Sequence, residues 1–247
     1  MRKSLLLLAT ALALSFLPSC GDGGEYVQRG EYMCYTYWTF SFGRLYDTLP
    51  EADPRTFKTL KDWLGEDARH VYFKQDLIQG AKPGNIKVIR YPLICDGHDY
   101  FYESSPMHVT DYKTFTVVKW HLDDNFWAMD SKTIYYDTLH VEGVDRATFK
   151  IKDDYVAVDK NHVYRFGKIL HHADPATYVE DWKGFYSRDK SHIWYMGEML
   201  TDVDYNTFTI DKEGNASDKY GRFEGANRLV PNDTPDDVTS TPDDEAL

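Results

Sequence analysis

Apolar and polar positions alternate in short runs along most of this chain. The pattern is clearest in Tyr155-Val156-Ala157-Val158 and His162-Val163-Tyr164-Arg165-Phe166, both rich in β-branched and aromatic residues that suit a pleated, half-buried surface. Between them lies a polar turn that opens on Asp159, and Asp at that position accepts backbone N–H groups. The pattern predicts a β-hairpin. Asp189-Lys190-Ser191-His192 and Asp130-Ser131-Lys132-Thr133 predict the same turn elsewhere. A glycine after the second run, at Gly167 and Gly197, predicts a bend or bulge.

Aligning the turn aspartates exposes a period. Asp67, Asp96, Asp130, Asp159, Asp189 and Asp218 are separated by 29, 34, 29, 30 and 29 residues. A second marker, an aromatic or Ile after Thr or Asn, keeps the same beat at Phe57, Ile86, Phe115, Phe149, Tyr178 and Phe208. Two markers with one period are the signature of a tandem repeat, in which each module completes its core against its neighbours. Ahead of the second marker stands Ala-Asp-Pro-x-Thr at 52–56 and 173–177, with Asp53 or Asp174 as a cap and Pro54 or Pro175 at a first helical position. With no amphipathic run behind it, it predicts one helical turn. The chain then enters a short third strand such as Phe149-Lys150-Ile151.

The predicted fold is therefore all-β: tandem repeats of about 30 residues, each a hairpin, a helical turn and a third strand. They stack as an open array, with a small β-propeller as the alternative, since about 30 residues are few for a four-stranded blade. The predicted core is Val163, Tyr164, Ile193, Trp194, Ile134, Tyr135, Phe149, Tyr178 and Phe208.

Asp159-Lys160-Asn161-His162-Val163-Tyr164, followed by Gly and then Ala-Asp-Pro-x-Thr-aromatic, resembles the DKNYY repeat family of bacteria. The resemblance spans roughly 35–223. It weakens in the module around Asp67, where Ala68-Arg69 replace Lys-Asn and Lys82-Pro83 replace Asp-Pro. It implies repeats and a bacterial source, and no activity.

Residues 1–19 read as a lipoprotein signal peptide. Arg2 and Lys3 precede an apolar run at 5–17, too short for a comfortable membrane span. Leu17-Pro18-Ser19-Cys20 resembles a lipobox, which implies cleavage before Cys20 and acylation (palmitate) of its thiol. The alternatives are an ordinary signal peptide or an uncleaved anchor. Gly21 after the cysteine favours the outer membrane, on either face. Residues 20–30 read as the lipidated cysteine and a flexible tether, 31–225 as the repeat domain, and 226–247 as an acidic, disordered tail poor in aromatics.

Removing Arg2 and Lys3 takes the formal charge from −12 to −14. Such an acidic chain repels phosphate backbones, so no nucleic-acid partner is expected, and the membrane partner is reached through the lipid anchor. Two cysteines remain, Cys34 and Cys95. In an oxidising envelope a disulfide is one expectation, against which stands their separation along a straight stack.

Candidate chemistry is sparse. The interval 115–130 is longer than its equivalents, and the extra residues supply a candidate binding loop: Trp120, His121, Asp123 and Asp124. Tyr32, Tyr35, Tyr37, Trp38, Phe40 and Phe42 form an aromatic cluster that either closes the end of the β-core or offers a face to a glycan or protein. His70, His162 and His192 follow the hairpin beat, and His171 and His172 point to opposite sides of an extended chain, so no metal is expected. No catalytic motif and no cofactor signature appears. The reading that fits best is a non-enzymatic envelope lipoprotein, a repeat scaffold for a protein or glycan partner. An envelope glycan hydrolase using clustered carboxylates is the alternative.

Overall fold

The computed structural model describes residues 23–121, 124–181 and 185–229. Among these the chain is all-β and without helix, built from seven small sheets of sequential, antiparallel strands. The first sheet has three strands, Glu25–Arg29, Tyr32–Thr39 and Gly43–Leu49. Each of the other six has four. In the fifth, for example, they are Lys150–Ile151, Val156–Val158, Val163–Arg165 and Lys168–Ile169, in that spatial order. The chain divides into two compact units, Met1–Lys87 and Val88–Leu247.

Two expectations about the module need correction. The glycine after the second run closes a second hairpin instead of a bulge. Phe166 (φ +48°) and Gly167 (φ +72°) both adopt left-handed backbone, as a two-residue turn between twisted strands requires, and Lys168–Ile169 returns as a fourth strand. A Cβ on Gly167 would lie 2.6 Å from Tyr136 Cβ, so the position tolerates only glycine. A module of about 30 residues thus does hold four strands, because the outer ones are only two to five residues long; the length argument against a propeller blade fails.

The expected helical turn is also not shown. Thr148 N–H donates to Asp145 O at 3.2 Å and Thr177 N–H to Asp174 O at 3.2 Å, each closing a tight turn; Tyr178 N–H adds a bond to Asp174 O at 3.0 Å, and no helix follows. The supposed helix cap has a tertiary partner: Asp145 N–H donates to Asp159 Oδ2 at 2.7 Å and Asp174 N–H to Asp189 Oδ2 at 2.8 Å.

The turn aspartate is the hub of each module. Asp159 is 2 % exposed. Its Oδ1 accepts the N–H groups of Asn161 and His162, both at 2.7 Å, while Oδ2 accepts Asp145 N–H and the Tyr164 hydroxyl at 2.8 Å. The same four bonds form at Asp67 and Asp130, where the hydroxyls come from Tyr72 and Tyr135. Asp218 uses Arg228 in place of tyrosine, at 2.6 and 2.7 Å. Asp96 keeps the two turn bonds, to His98 and Asp99, in a module that carries Lys82 and Phe101 where the modules of Asp67, Asp130 and Asp159 carry Asp and Tyr.

Two further bonds tie turn to hairpin. Thr148 Oγ1 accepts Lys160 N–H at 3.0 Å, and Lys160 Nζ reaches Asp145 Oδ2 at 2.6 Å. Lys190 with Asp174 and Lys219 with Asp204 repeat the ion pair at 2.6 Å. Burial opposes ionisation of Asp159, but the backbone donors and Tyr164 outweigh it and hold the carboxyl below its usual value.

The core is shared between successive sheets. In the C-terminal unit Trp127, Ile134 and Tyr136 of the fourth sheet cluster with Ala157 and Tyr164 of the fifth. Val156, Val158 and Val163 of the fifth cluster with Trp194 of the sixth, and Tyr186 and Ile193 of the sixth with Ala216 and Phe223 of the seventh. Eight of the nine expected core residues are buried, and Phe149 packs half-buried against the Trp127 cluster. In the N-terminal unit Met33, Tyr35 and Leu49 pack with Tyr72.

Strand pairing starts at Glu25, inside the stretch read as tether, because Glu25–Arg29 has the Tyr32–Thr39 strand as partner. It continues to Arg228, past the boundary at 225. Cys20 and the residues after 229 lie outside the described residues. Cys34 and Cys95 form no bridge and are buried as free thiols. Each has a local neighbour, Thr48 Oγ1 at 3.9 Å from Cys34 and the Tyr112 hydroxyl at 3.5 Å from Cys95.

Replacing Asp159 with Asn puts an amide N–H₂ where four donors converge. It should cost roughly 3 kcal/mol in urea unfolding, against about 1 kcal/mol for Tyr164→Phe. Equal, small losses would mean that the carboxylate is not the hub. Because the turn carboxyls are held below their unfolded values, their contribution is complete above about pH 4 and should be lost as pH falls through the lower folded values. Cys34 and Cys95 should be inert to a thiol reagent in the native chain and both react in urea without prior reduction; a requirement for reductant would reveal a bridge.

Candidate functional site

The long interval predicted as a binding loop takes its extra length from an extended first strand, Thr116–Trp120, with a bulge between Val117 and Lys119. The hairpin loop that follows is closed by His121 N–H donating to Asn125 O at 2.9 Å. Alternation along the strand sends its last side chains to different surroundings. Trp120 packs on Phe126, with ring centroids 4.8 Å apart, and carries the Arg90 guanidinium over its face at 4.8 Å. Asp124, in left-handed backbone, stands 3.9 Å from the same guanidinium.

His121 belongs to another cluster. It is 3 % exposed, stacked beside Tyr136 and Tyr155, with Nδ1 3.1 Å from Asp154 Oδ1. Lys119 Nζ reaches the same oxygen at 3.0 Å, and the Trp127 indole donates to Asp154 O at 3.0 Å. Lys119 first, then His121, holds the Asp154 carboxyl below its usual value against a smaller desolvation effect. Trp120 and Asp124 thus share a cation, while His121 braces the module behind. Asp123 lies outside the described residues.

The carboxylates and histidines near the turns have partners within their own modules. Asp99 accepts the N–H groups of Tyr100, His108 and Val109 at 2.8 to 3.0 Å. His70, His162 and His192 lie 3.5 to 4.0 Å from their turn aspartates. Among the described residues no three His, Cys, Asp or Glu side chains gather as a metal site would require. A cleft of about 460 Å³ in the N-terminal unit is lined by Arg55, Phe57, Glu66 and Asp67. Glu66 accepts Gly84 N–H there at 2.8 Å, and Asp67 is the saturated hub of its module.

One charged cluster was not anticipated. Arg165, 8 % exposed, pairs with Glu180 across the fifth and sixth sheets, and Asp153 neighbours the same carboxyl. Burial and then the neighbouring Asp153 push the Glu180 carboxyl up to about 7, against the pull of Arg165. Asp153 Oδ1 meanwhile accepts the N–H groups of Tyr155 and Val156 at 2.8 Å. Sequence reasoning missed this group because its members come from two modules and none sits at a position the period marks.

The aromatic cluster divides. Tyr35 is buried and Tyr37 half-buried, whereas Tyr32, Trp38, Phe40 and Phe42 are exposed, so only part of it closes the β-core.

No curated protein and no solved structure matches the chain. The model of the DKNYY family matches residues 32–180, the stretch in which the turn aspartate recurs at Asp67, Asp96, Asp130 and Asp159, and the Asp-x-x-Thr turn at Asp53, Asp111, Asp145 and Asp174. With more than half of its length matched, the chain belongs to the DKNYY family.

Proposed function

We propose that this protein is a lipid-anchored component of the bacterial cell envelope, held at the outer membrane through Cys20, whose modules form a scaffold for a protein or glycan partner. One observation carries the scaffold reading. The residues that define the module are spent on one another: Asp on turn, tyrosine and preceding strand, Thr on the turn backbone, Lys on the second Asp. A carboxylate saturated with donors and held below its usual value is a poor general acid. Modules sharing core clusters in succession fit a tandem array; an open array and a small propeller are both built from such sheets. The anchor rests on Leu17-Pro18-Ser19-Cys20 behind a short apolar run.

The glycan-hydrolase alternative draws on Glu180, a carboxyl poised near neutrality. Its geometry argues for structure instead. A glycosidase carboxyl must face a sugar or a water, whereas Glu180 is paired with Arg165 between two sheets.

Cells fed a clickable fatty acid should label the wild-type chain in the membrane fraction and leave Cys20→Ala unlabelled; label on both sinks the anchor. The purified mature domain should capture a discrete envelope protein or glycan without cleaving it, and release of glycan fragments would favour the hydrolase. Because the Glu180 carboxyl is raised in the folded chain, its contribution is fullest below the unfolded value near 4.5 and falls away as pH rises towards 7. Glu180→Gln should flatten the pH dependence of unfolding between those values and leave any glycan-cleaving activity unchanged.

A further inference from the structure

The hairpin of Tyr32–Thr39 and Gly43–Leu49 outruns the core it helps to build. Its base is buried at Met33, Tyr35 and Leu49. Beyond the pair Tyr37–Leu45 the side chains emerge: Trp38 is 71 % exposed, Phe42 79 % and Phe40 fully so. The turn that displays them is well made. Thr39 Oγ1 accepts Phe42 N–H at 3.1 Å and donates to Gly43 O at 3.2 Å, and Gly43 supplies the left-handed backbone with φ +70°. Within 36–46 there is no acidic residue and a single charge, Arg44, in a chain that carries 40 Asp and Glu. Arg44 in turn is neutralised by Glu25 at 3.1 Å. An apolar, aromatic, uncharged finger is thus held in water by a protein that is otherwise strongly acidic.

Strand register says what lies beside it. Glu25 pairs with Thr36 and Arg29 with Tyr32, so the chain enters the first sheet from the end at which the finger projects. Gly24 is buried where the chain enters, and a Cβ there would lie 2.2 Å from Tyr35 Cζ, so the approach is pinned to that ring. Phe40 stands four residues beyond Thr36, a rise of about 13 Å along the strand. Cys20 precedes Glu25 by five residues, which span at most about 18 Å. Five residues of chain therefore leave the acylation point within reach of the end of the sheet at which the aromatic tip projects.

From this we infer that Trp38, Phe40 and Phe42 form a second membrane contact, seated in the interfacial layer of the bilayer that receives the Cys20 acyl group. The inference rests on the lipid-anchor reading. Trp at the level of the headgroups and Phe below it is the distribution that interfaces favour. An apolar finger at the same surface adds a second contact to the lipid at Cys20 and enlarges the apolar area given to the bilayer. It also fixes the domain to the membrane at two points.

The test uses the full chain purified from membranes, its acyl group checked by intact mass, in phosphatidylethanolamine–phosphatidylglycerol vesicles carrying lipids brominated near the headgroup. Wild-type protein should lose a component of tryptophan emission that Trp38→Phe does not lose. Phe40→Ser/Phe42→Ser should reduce that quenching while the acyl mass stays. Quenching equal in wild type and Trp38→Phe, on an acylated chain, overturns the membrane contact and leaves the anchor standing. A chain without acyl mass on Cys20 overturns the anchor reading, and this proposal with it. Trp38 shielded from aqueous iodide yet untouched by brominated lipid means that protein covers the tip, which also overturns the proposal.

Discussion

A buried carboxylate that gathers backbone and side-chain donors is the interaction on which the modules depend. Strands of two to five residues gain little from their own ladders, and the outer ones here bury almost nothing on their outer faces. What fixes them is the turn aspartate: Asp67, Asp130 and Asp159 each join the hairpin turn, the tyrosine that follows and the N–H of the preceding tight turn. A charge below the surface is expensive unless its lone pairs are used. Where tyrosine is missing, Asp189 keeps three backbone donors and Asp218 takes a guanidinium.

This constraint explains how much could be read from the sequence. The period was legible because the same bonds need the same residue types at the same spacing, and the eight buried positions among the nine expected follow from alternation around those markers. The fourth strand was not legible. Lys168–Ile169 is too short to show alternation, and its turn is Phe-Gly instead of the Asn-Gly that signals a tight hairpin. Asp145-Arg146-Ala147-Thr148 and its relatives look like helix starts because a cap and a tight turn use the same residues; only the distant acceptor, Asp159, separates the two.

The candidate sites divide in the same way. Trp120 and Asp124 do meet, through Arg90, a residue no local pattern connects to them. His121 faces away because one step along a strand reverses the side chain. Aromatic content alone could not distinguish Tyr35, which fills the core, from Phe40, which leaves it. That difference arises because two strands run on past their neighbours, a matter of relative length among elements.

Nearly every bond described joins residues close in sequence. The hub at Asp159 reaches back 14 residues to Asp145, and the sheets are laid down by strands in chain order. For an all-β protein this is a local wiring plan, and local wiring shortens the search for the native state. It also bears on descent. A gene segment encoding one sheet can be duplicated or deleted in frame, and only the modules flanking the join must accommodate a new face. Arrays of differing length are then reachable by single genetic events, with the first sheet left unaltered.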